Sequence, residues 1–161
     1  ALAVPIMKCD FSIKLGEILK YQADNGAIIG SYSGLISFVV MLLCIHAKLG
    51  FTPFDAADAE TEITSGPYIE YSGKALAILK LSKAVLTFAL PVFMITLYFG
   101  GVGFSPKGFI NTALQYIMIV VIMVVIKNTN PRLRIDQAVR FFWAPVTGLA
   151  AIAIVLAYFG F

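Results

Sequence analysis

The sequence predicts an all-α membrane protein with four transmembrane helices and an N-terminal amphipathic segment. Two observations carry this. The 161 residues are 60% hydrophobic and only 13% charged, whereas a soluble domain of this size carries about a quarter charged residues. Four runs, Ala27–Cys44, Ala84–Phe104, Phe109–Ile126 and Phe141–Phe161, hold no formal charge over 18, 21, 18 and 21 residues. Each reaches or approaches the roughly 20 residues that cross a ~30 Å hydrocarbon core as a helix. Lipid offers the backbone no hydrogen-bond partner, so runs of this length satisfy their own amides as helices.

The elements follow in order. Ala1–Met7 is apolar but short, and no cleavage pattern follows it, so it is not read as a signal peptide. Residues 8–25 mix charges of both signs, with Phe11, Leu15, Ile18 and Leu19 at helical spacing. An interfacial amphipathic helix is expected there, ended by Asn25-Gly26 and forming an N-terminal unit over residues 1–26. The bundle is expected over 27–161, with spans at about 27–49, 74–100, 109–126 and 141–161. Gly26, Gly30 and Gly34 recur every four residues on the first span, with Ser33 and Ser37 nearby. Such a stripe predicts close approach by a neighbouring helix.

The second span, at 27 residues, is about 40 Å long, so its first turns project or tilt. Lys74, Lys80 and Lys83 lie on that end. Lys83 sits about 13 Å beyond Lys74 along the axis; its ammonium either snorkels to the headgroups or stays inside as a functional amine. Pro91 is expected to kink this helix. Asn111 and Gln115 open the third span as interhelical hydrogen-bonders. Trp143 and Pro145 mark the start of the last span at the interface.

The four spans place residues 50–73 and 127–140 on one side. Basic residues there are Lys48, Lys74, Lys127, Arg132, Arg134 and Arg140, against Lys8, Lys14, Lys20 and Lys107 on the other, six to four. The positive-inside rule then puts both connections in the cytoplasm of a multi-pass plasma-membrane protein. Residues 50–73 carry five carboxylates, Asp55, Asp58, Glu60, Glu62 and Glu70, and no base. Residues 127–140 carry four basic residues and Asp136, a net +3. Opposite charges on one face imply mutual docking or a shared partner.

Asp55 is a strong N-cap type for a helix starting at Ala56. Asp58 and Glu62 then stack four residues apart, a like-charge pair that needs neutralising; Arg132, Arg134 and Arg140 are the candidates. Glu60 points elsewhere. Carboxylates crowded at a low-dielectric edge have raised and coupled pKa values, as a proton relay requires; the alternative is solvated surface. His46 and Lys48 are titratable neighbours. With one His, Cys9 and Cys44 and no paired-cysteine motif, the chain is not expected to hold a metal or iron–sulfur centre alone. No catalytic residue set is read.

Two motifs carry a resemblance. Pro53-Phe54-Asp55, then Ala59-Glu60-Thr61-Glu62, then Ile69-Glu70-Tyr71-Ser72-Gly73 resembles the signature of the quinone-site membrane subunit of complex I, its H-type subunit. Asn130-Pro131-Arg132-Leu133-Arg134-Ile135-Asp136-Gln137, with Arg140 and Trp143, resembles the junction before that family's last helix. The likeness covers about residues 27–161. Family members have about eight helices, so the chain looks like the C-terminal half. It lacks the Leu-Pro usual after the first motif, at Ala56-Ala57, and Gly66-Pro67-Tyr68 also departs from the pattern. This drift is similar to the corresponding subunit of energy-converting membrane-bound [NiFe] hydrogenases and of their sulfane-sulfur-reducing relatives.

The resemblance implies a subunit without a redox centre or bound cofactor. Iron–sulfur clusters and a NiFe-type or quinone site would lie in or with partner subunits. Those partners would be a hydrogenase-like large subunit, an iron–sulfur subunit, antiporter-like membrane subunits and the other half of the family fold, with lipid around them and no nucleic acid. Glu60, Glu62 and Glu70 would be the coupling or relay residues. Asp55, Asp58, Arg132, Arg134, Asp136 and Arg140 would support the loop and dock the arm, with His46 and Lys83 as further possibilities. The alternatives are the quinone-pocket subunit of a NADH- or ferredoxin-quinone oxidoreductase and a purely structural anchor.

Overall fold

The computed structural model describes residues 1–9, 11–55, 70–103 and 106–160. All regular structure among them is helical: α1 (Ala3–Lys8), α2 (Leu15–Asn25), a 3₁₀ turn (Ile28–Gly30), α3 (Tyr32–Lys48), α4 (Gly73–Tyr98), α5 (Pro106–Thr129), α6 (Ile135–Phe141) and α7 (Thr147–Tyr158). The protein is an all-α membrane protein. Helix α4, helix α5 and the continuous stretch Ile135–Tyr158 are each long and apolar enough to cross a membrane; α3 is a shorter apolar helix.

Helix α3 is the centre of the packing, lying against α7, α4 and α1, while α5 packs on α4. It starts at Tyr32 because Ser31 accepts a hydrogen bond from the Gly34 amide at 3.1 Å, an N-cap of the usual serine type. Its 17 residues give it a length of about 25 Å. The core gathers Phe38, Leu42, Ile45, Met94, Ile95 and Tyr98. Phe38 meets Tyr98 and Phe99 edge-on at centroid distances of 5.6 and 5.8 Å, the geometry that ring quadrupoles favour. Outward side chains such as Phe88, Ile110, Leu114, Val121 and Ile152 are apolar and exposed, as lipid contact requires.

Several sequence expectations change. The glycine stripe is not a helix–helix seam: a Cβ on Gly34 would overlap the Ile28 carbonyl of the chain's own 3₁₀ turn, and Gly26 and Gly30 have open space around them. Instead the buried hydroxyl of Ser37 meets that of Tyr98 at 2.7 Å, tying α3 to α4. The amphipathic helix starts at Leu15, so Phe11, at a φ of 58°, lies outside it and is exposed.

A further change concerns residues 127–140. Lys127 is still in α5, and Asp136 and Arg140 lie on α6, so the connection proper is only Asn130–Arg134. The Arg134 amide donates to Gln137 Oε1 at 3.2 Å, and Asp136 in the first turn complements the helix dipole. Pro145 does not start a helix. It sits in a π-turn, Phe142–Val146, that joins α6 to α7, and the Thr147 hydroxyl donates to the Phe142 carbonyl at 2.8 Å across it. A proline removes an amide donor, and a widened turn is one way a helix accommodates it. Helix α4 runs unbroken through its own proline, Pro91.

Helix α2 lies across the C-terminal end of α4. Its one long buried polar side chain, Gln22, donates from Nε2 to the carbonyls of Thr96 and Leu97 at 3.3 and 3.0 Å. These belong to the last turn of α4, whose carbonyls have no helical donor. Gly101, at a φ of 88°, then lets the chain turn away under Leu19, whose side chain a Cβ there would strike.

Candidate functional site: the clasp between two connections

The segment leaving α3 is fastened before it enters the acidic stretch. His46, in the last turn of α3, is fully buried. Its Nε2 lies 2.7 Å from the Thr52 carbonyl, so that nitrogen carries the proton and donates. Nδ1 is then a bare acceptor, buried and without a hydrogen-bond partner among the described residues. The imidazole packs edge-on to Phe51 and Phe54 at centroid distances of 5.7 and 6.3 Å. Phe54 in turn stacks on Phe141 and Phe142 at 5.8 and 4.9 Å, which links the segment to the junction of α6 and the π-turn.

Two hydrogen bonds complete the contact. The Thr52 hydroxyl donates to the Lys127 carbonyl at 2.8 Å. The Leu133 amide donates to the Pro53 carbonyl at 3.0 Å. The beginning of the acidic connection and the connection Asn130–Arg134 are thus bonded to each other at one end of the bundle. Sequence reasoning put them on one side by counting spans and expected opposite charge to dock them. The bonds that join them are instead carried by main-chain groups and one threonine, which no charge count reveals.

Lysines crowd the same spot. The ammonium groups of Lys127 and Lys83 lie 5.0 and 5.9 Å from the centroid of the Phe51 ring, within the range of cation–π attraction. Lys83 is half-buried and faces this junction, inside the bundle edge. Beside it a cleft of about 130 Å³ opens between α4 and α5, lined by Phe51, Thr87, Val120, Met123, Val124 and Lys127. Its walls are almost wholly apolar apart from the lysine.

The other site residues fall as follows. Asp55 is half-buried at the end of the clasp, and Glu70 is exposed just before α4. Arg132, Arg134, Asp136 and Arg140 are exposed around the connection and the first turns of α6. Asp58, Glu60 and Glu62, the Asp55-capped helix from Ala56 and the neutralisation of the Asp58–Glu62 pair lie outside the described residues. Among the described residues, no three His, Cys, Asp or Glu side chains come together as a metal site. Sequence reasoning passed over Phe51, Thr52 and Phe54 as site residues. The aromatic pair flanking Thr52-Pro53, one helical turn past a lone His, is the signal that marks them.

A helical membrane protein whose acidic connection is clasped at its start to a short basic one is the class that fold and site define. The family model described as NADH dehydrogenase matches residues 1–158. The H subunit of NADH-quinone oxidoreductase from Brevibacillus brevis is 32% identical over 152 residues, which cover 90% of this chain and 44% of that protein. Its counterpart in Geobacillus kaustophilus is 32% identical over 151 residues, with the same coverage. That of Anoxybacillus flavithermus is 33% identical over 149 residues, covering 89% of this chain and 44% of the relative. The chain belongs to the NADH dehydrogenase family, and its relatives are H-type membrane subunits of complex I. It spans less than half the length of these relatives.

Proposed function

We propose that this chain is the membrane subunit of a complex I-like respiratory complex that anchors the peripheral electron-transfer arm. In this reading it couples redox turnover to proton or sodium ion translocation. The observation that carries it is the clasp: Thr52 and Pro53, at the mouth of the acidic segment, are bonded to Lys127 and Leu133. A protonation change in Glu60, Glu62 or Glu70 would then be delivered to the basic connection as a displacement, because the two share hydrogen bonds. Arg132, Arg134 and Arg140, all exposed, would dock the arm on the cytoplasmic side. The chain would hold no redox centre of its own; the partner subunits, hydrogenase-like or quinone-reducing, would supply it.

The test replaces Glu60, Glu62 and Glu70 singly by Gln and measures ion pumping alongside redox turnover in the intact complex. Loss of pumping with turnover retained in at least one variant supports the relay. Full coupling in all three sinks it. A second reading, a quinone-pocket subunit, is favoured by the names of the relatives. Binding of a quinone analogue to the intact complex separates the two. A complex that binds none, yet reduces protons or sulfur species, belongs with the hydrogenase-like relatives.

A further inference from the structure

Where α1 ends and α2 turns back towards α3, the chain encloses a polar cleft of about 320 Å³, lined by Lys8, Tyr21, Asn25, Ile28 and Ser31 among others. It lies at the opposite end of the bundle from the clasp, beside the last turn of α4 that Gln22 caps. Exposed aromatic side chains ring this end: Phe11, Tyr32, Tyr158 and Phe159. Such a belt marks the headgroup level of a membrane.

The chemistry of the cleft is that of a donor set. The Ser31 hydroxyl is already committed, donating to the Ile28 carbonyl and accepting from the Gly34 amide. Among the described residues the Lys8 ammonium, the Tyr21 hydroxyl and one N–H of Asn25 are left to face a ligand, Asn25 spending its other N–H on the Tyr21 carbonyl. Lys8 is half-buried, and partial loss of water pushes its ammonium down from the usual lysine range. Among the described residues no carboxylate lies within ion-pair distance of it; Lys14 and Glu17 satisfy each other at 3.3 Å. A partly dehydrated cation flanked by neutral donors suits an oxyanion.

We propose that this cleft binds the phosphodiester of a membrane phospholipid, through Lys8, Tyr21 and Asn25. Residues 8–25 contain three lysines and three acidic residues, so the segment exerts no broad pull on anionic surfaces. Recognition is local, directed to the phosphate that all phospholipids share rather than to net lipid charge. Exposed Phe11 and Ile13, between α1 and α2, and Leu15, which opens α2, give the acyl chains an apolar surface.

The experiment uses the intact complex in nanodiscs doped with a photoreactive phosphatidylglycerol, with cross-links mapped by peptide mass spectrometry. Labelling within residues 8–31 is expected. It should fall about tenfold in Lys8→Gln, the scale of a lost charge-assisted hydrogen bond. It should persist in Lys8→Arg and in Lys107→Gln, which removes an exposed charge at the same border outside the cleft. On the unmodified complex, a photoreactive diacylglycerol of the same chain length should label the segment far less. Equal labelling by diacylglycerol, or equal loss in Lys8→Gln and Lys107→Gln, overturns the proposal. Displacement of the label by millimolar inorganic phosphate would assign the cleft to a free anion and overturn the lipid.

Discussion

His46 is the side chain whose removal tests the clasp most directly. Replacing it by Leu deletes the donor to the Thr52 carbonyl, held at 2.7 Å in a fully buried position. The Thr52 carbonyl is part-buried, so the loss of its donor costs about 1.5 kcal/mol, towards the low end of the roughly 1–3 kcal/mol of a buried group. Loss of the ring-edge contacts with Phe51 and Phe54 adds on the order of 0.5 kcal/mol, because Leu restores part of the apolar packing. The sum is about 2 kcal/mol, close to a 30-fold shift in a local opening equilibrium. The readout is hydrogen exchange at the Leu133 amide, whose acceptor is the Pro53 carbonyl. It should lose about that factor of protection in His46→Leu, while the amides around Ile95 keep theirs. His46→Gln carries an N–H near the same place and should stay within about threefold, by the same hydrogen-bond scale. Unchanged protection at Leu133 in His46→Leu would show that the clasp does not depend on the histidine.

Three further outcomes are expected. Gln22→Ala leaves the Thr96 and Leu97 carbonyls without their donor, which should destabilise the end of α4 by about 2 kcal/mol, seen as faster exchange at Phe99, whose amide closes that turn. Tyr98→Phe removes the hydroxyl bonded to Ser37 and should lower the unfolding free energy in bilayers by about 0.6 kcal/mol, up to roughly 1.7, measurable by steric trapping. The Ser12 hydroxyl, followed by Lys14, holds the exposed Glu17 carboxyl below the ordinary glutamate range. A depressed folded-state pKa contributes stability above the ordinary range and loses it as pH falls through the depressed value. Ser12→Ala should therefore move the acid-side loosening of α2 to higher pH, followed by exchange of its amides.

Three long apolar helices were legible because charge-free runs leave the backbone one option in lipid; the run expected to span from residue 27 is instead a 3₁₀ turn followed by the shorter helix Tyr32–Lys48. What surrounds them was less so. Residues 127–140 read as a loop because their charges mask helical order, yet Lys127 is still in α5, the Arg134 amide finds Gln137 and α6 begins at Ile135. Pro145 reads as a helix start, since proline suits that position, but the chain widens a turn around it instead. Gln22 drew no notice among the residues of an amphipathic helix; its importance depends on where α4 ends, a tertiary fact. At the candidate site, the span count put residues 50–73 and 127–140 on one side, and opposite charge suggested that they meet. The contact itself rests largely on main-chain groups, which have no signature in residue type, with the Thr52 hydroxyl and the Phe54 ring beside them. Glu70 and the arginines lie on the surface around it.

The bond between the Pro53 carbonyl and the Leu133 amide has a consequence for genetics. Neither partner is a side chain, so almost any residue at position 133 keeps the tie. Alanine scanning would pass through this joint without a phenotype. Proline at 133 is the single natural substitution that deletes the donor, so a mutational map would show the tie as one intolerant amino acid at an otherwise permissive site.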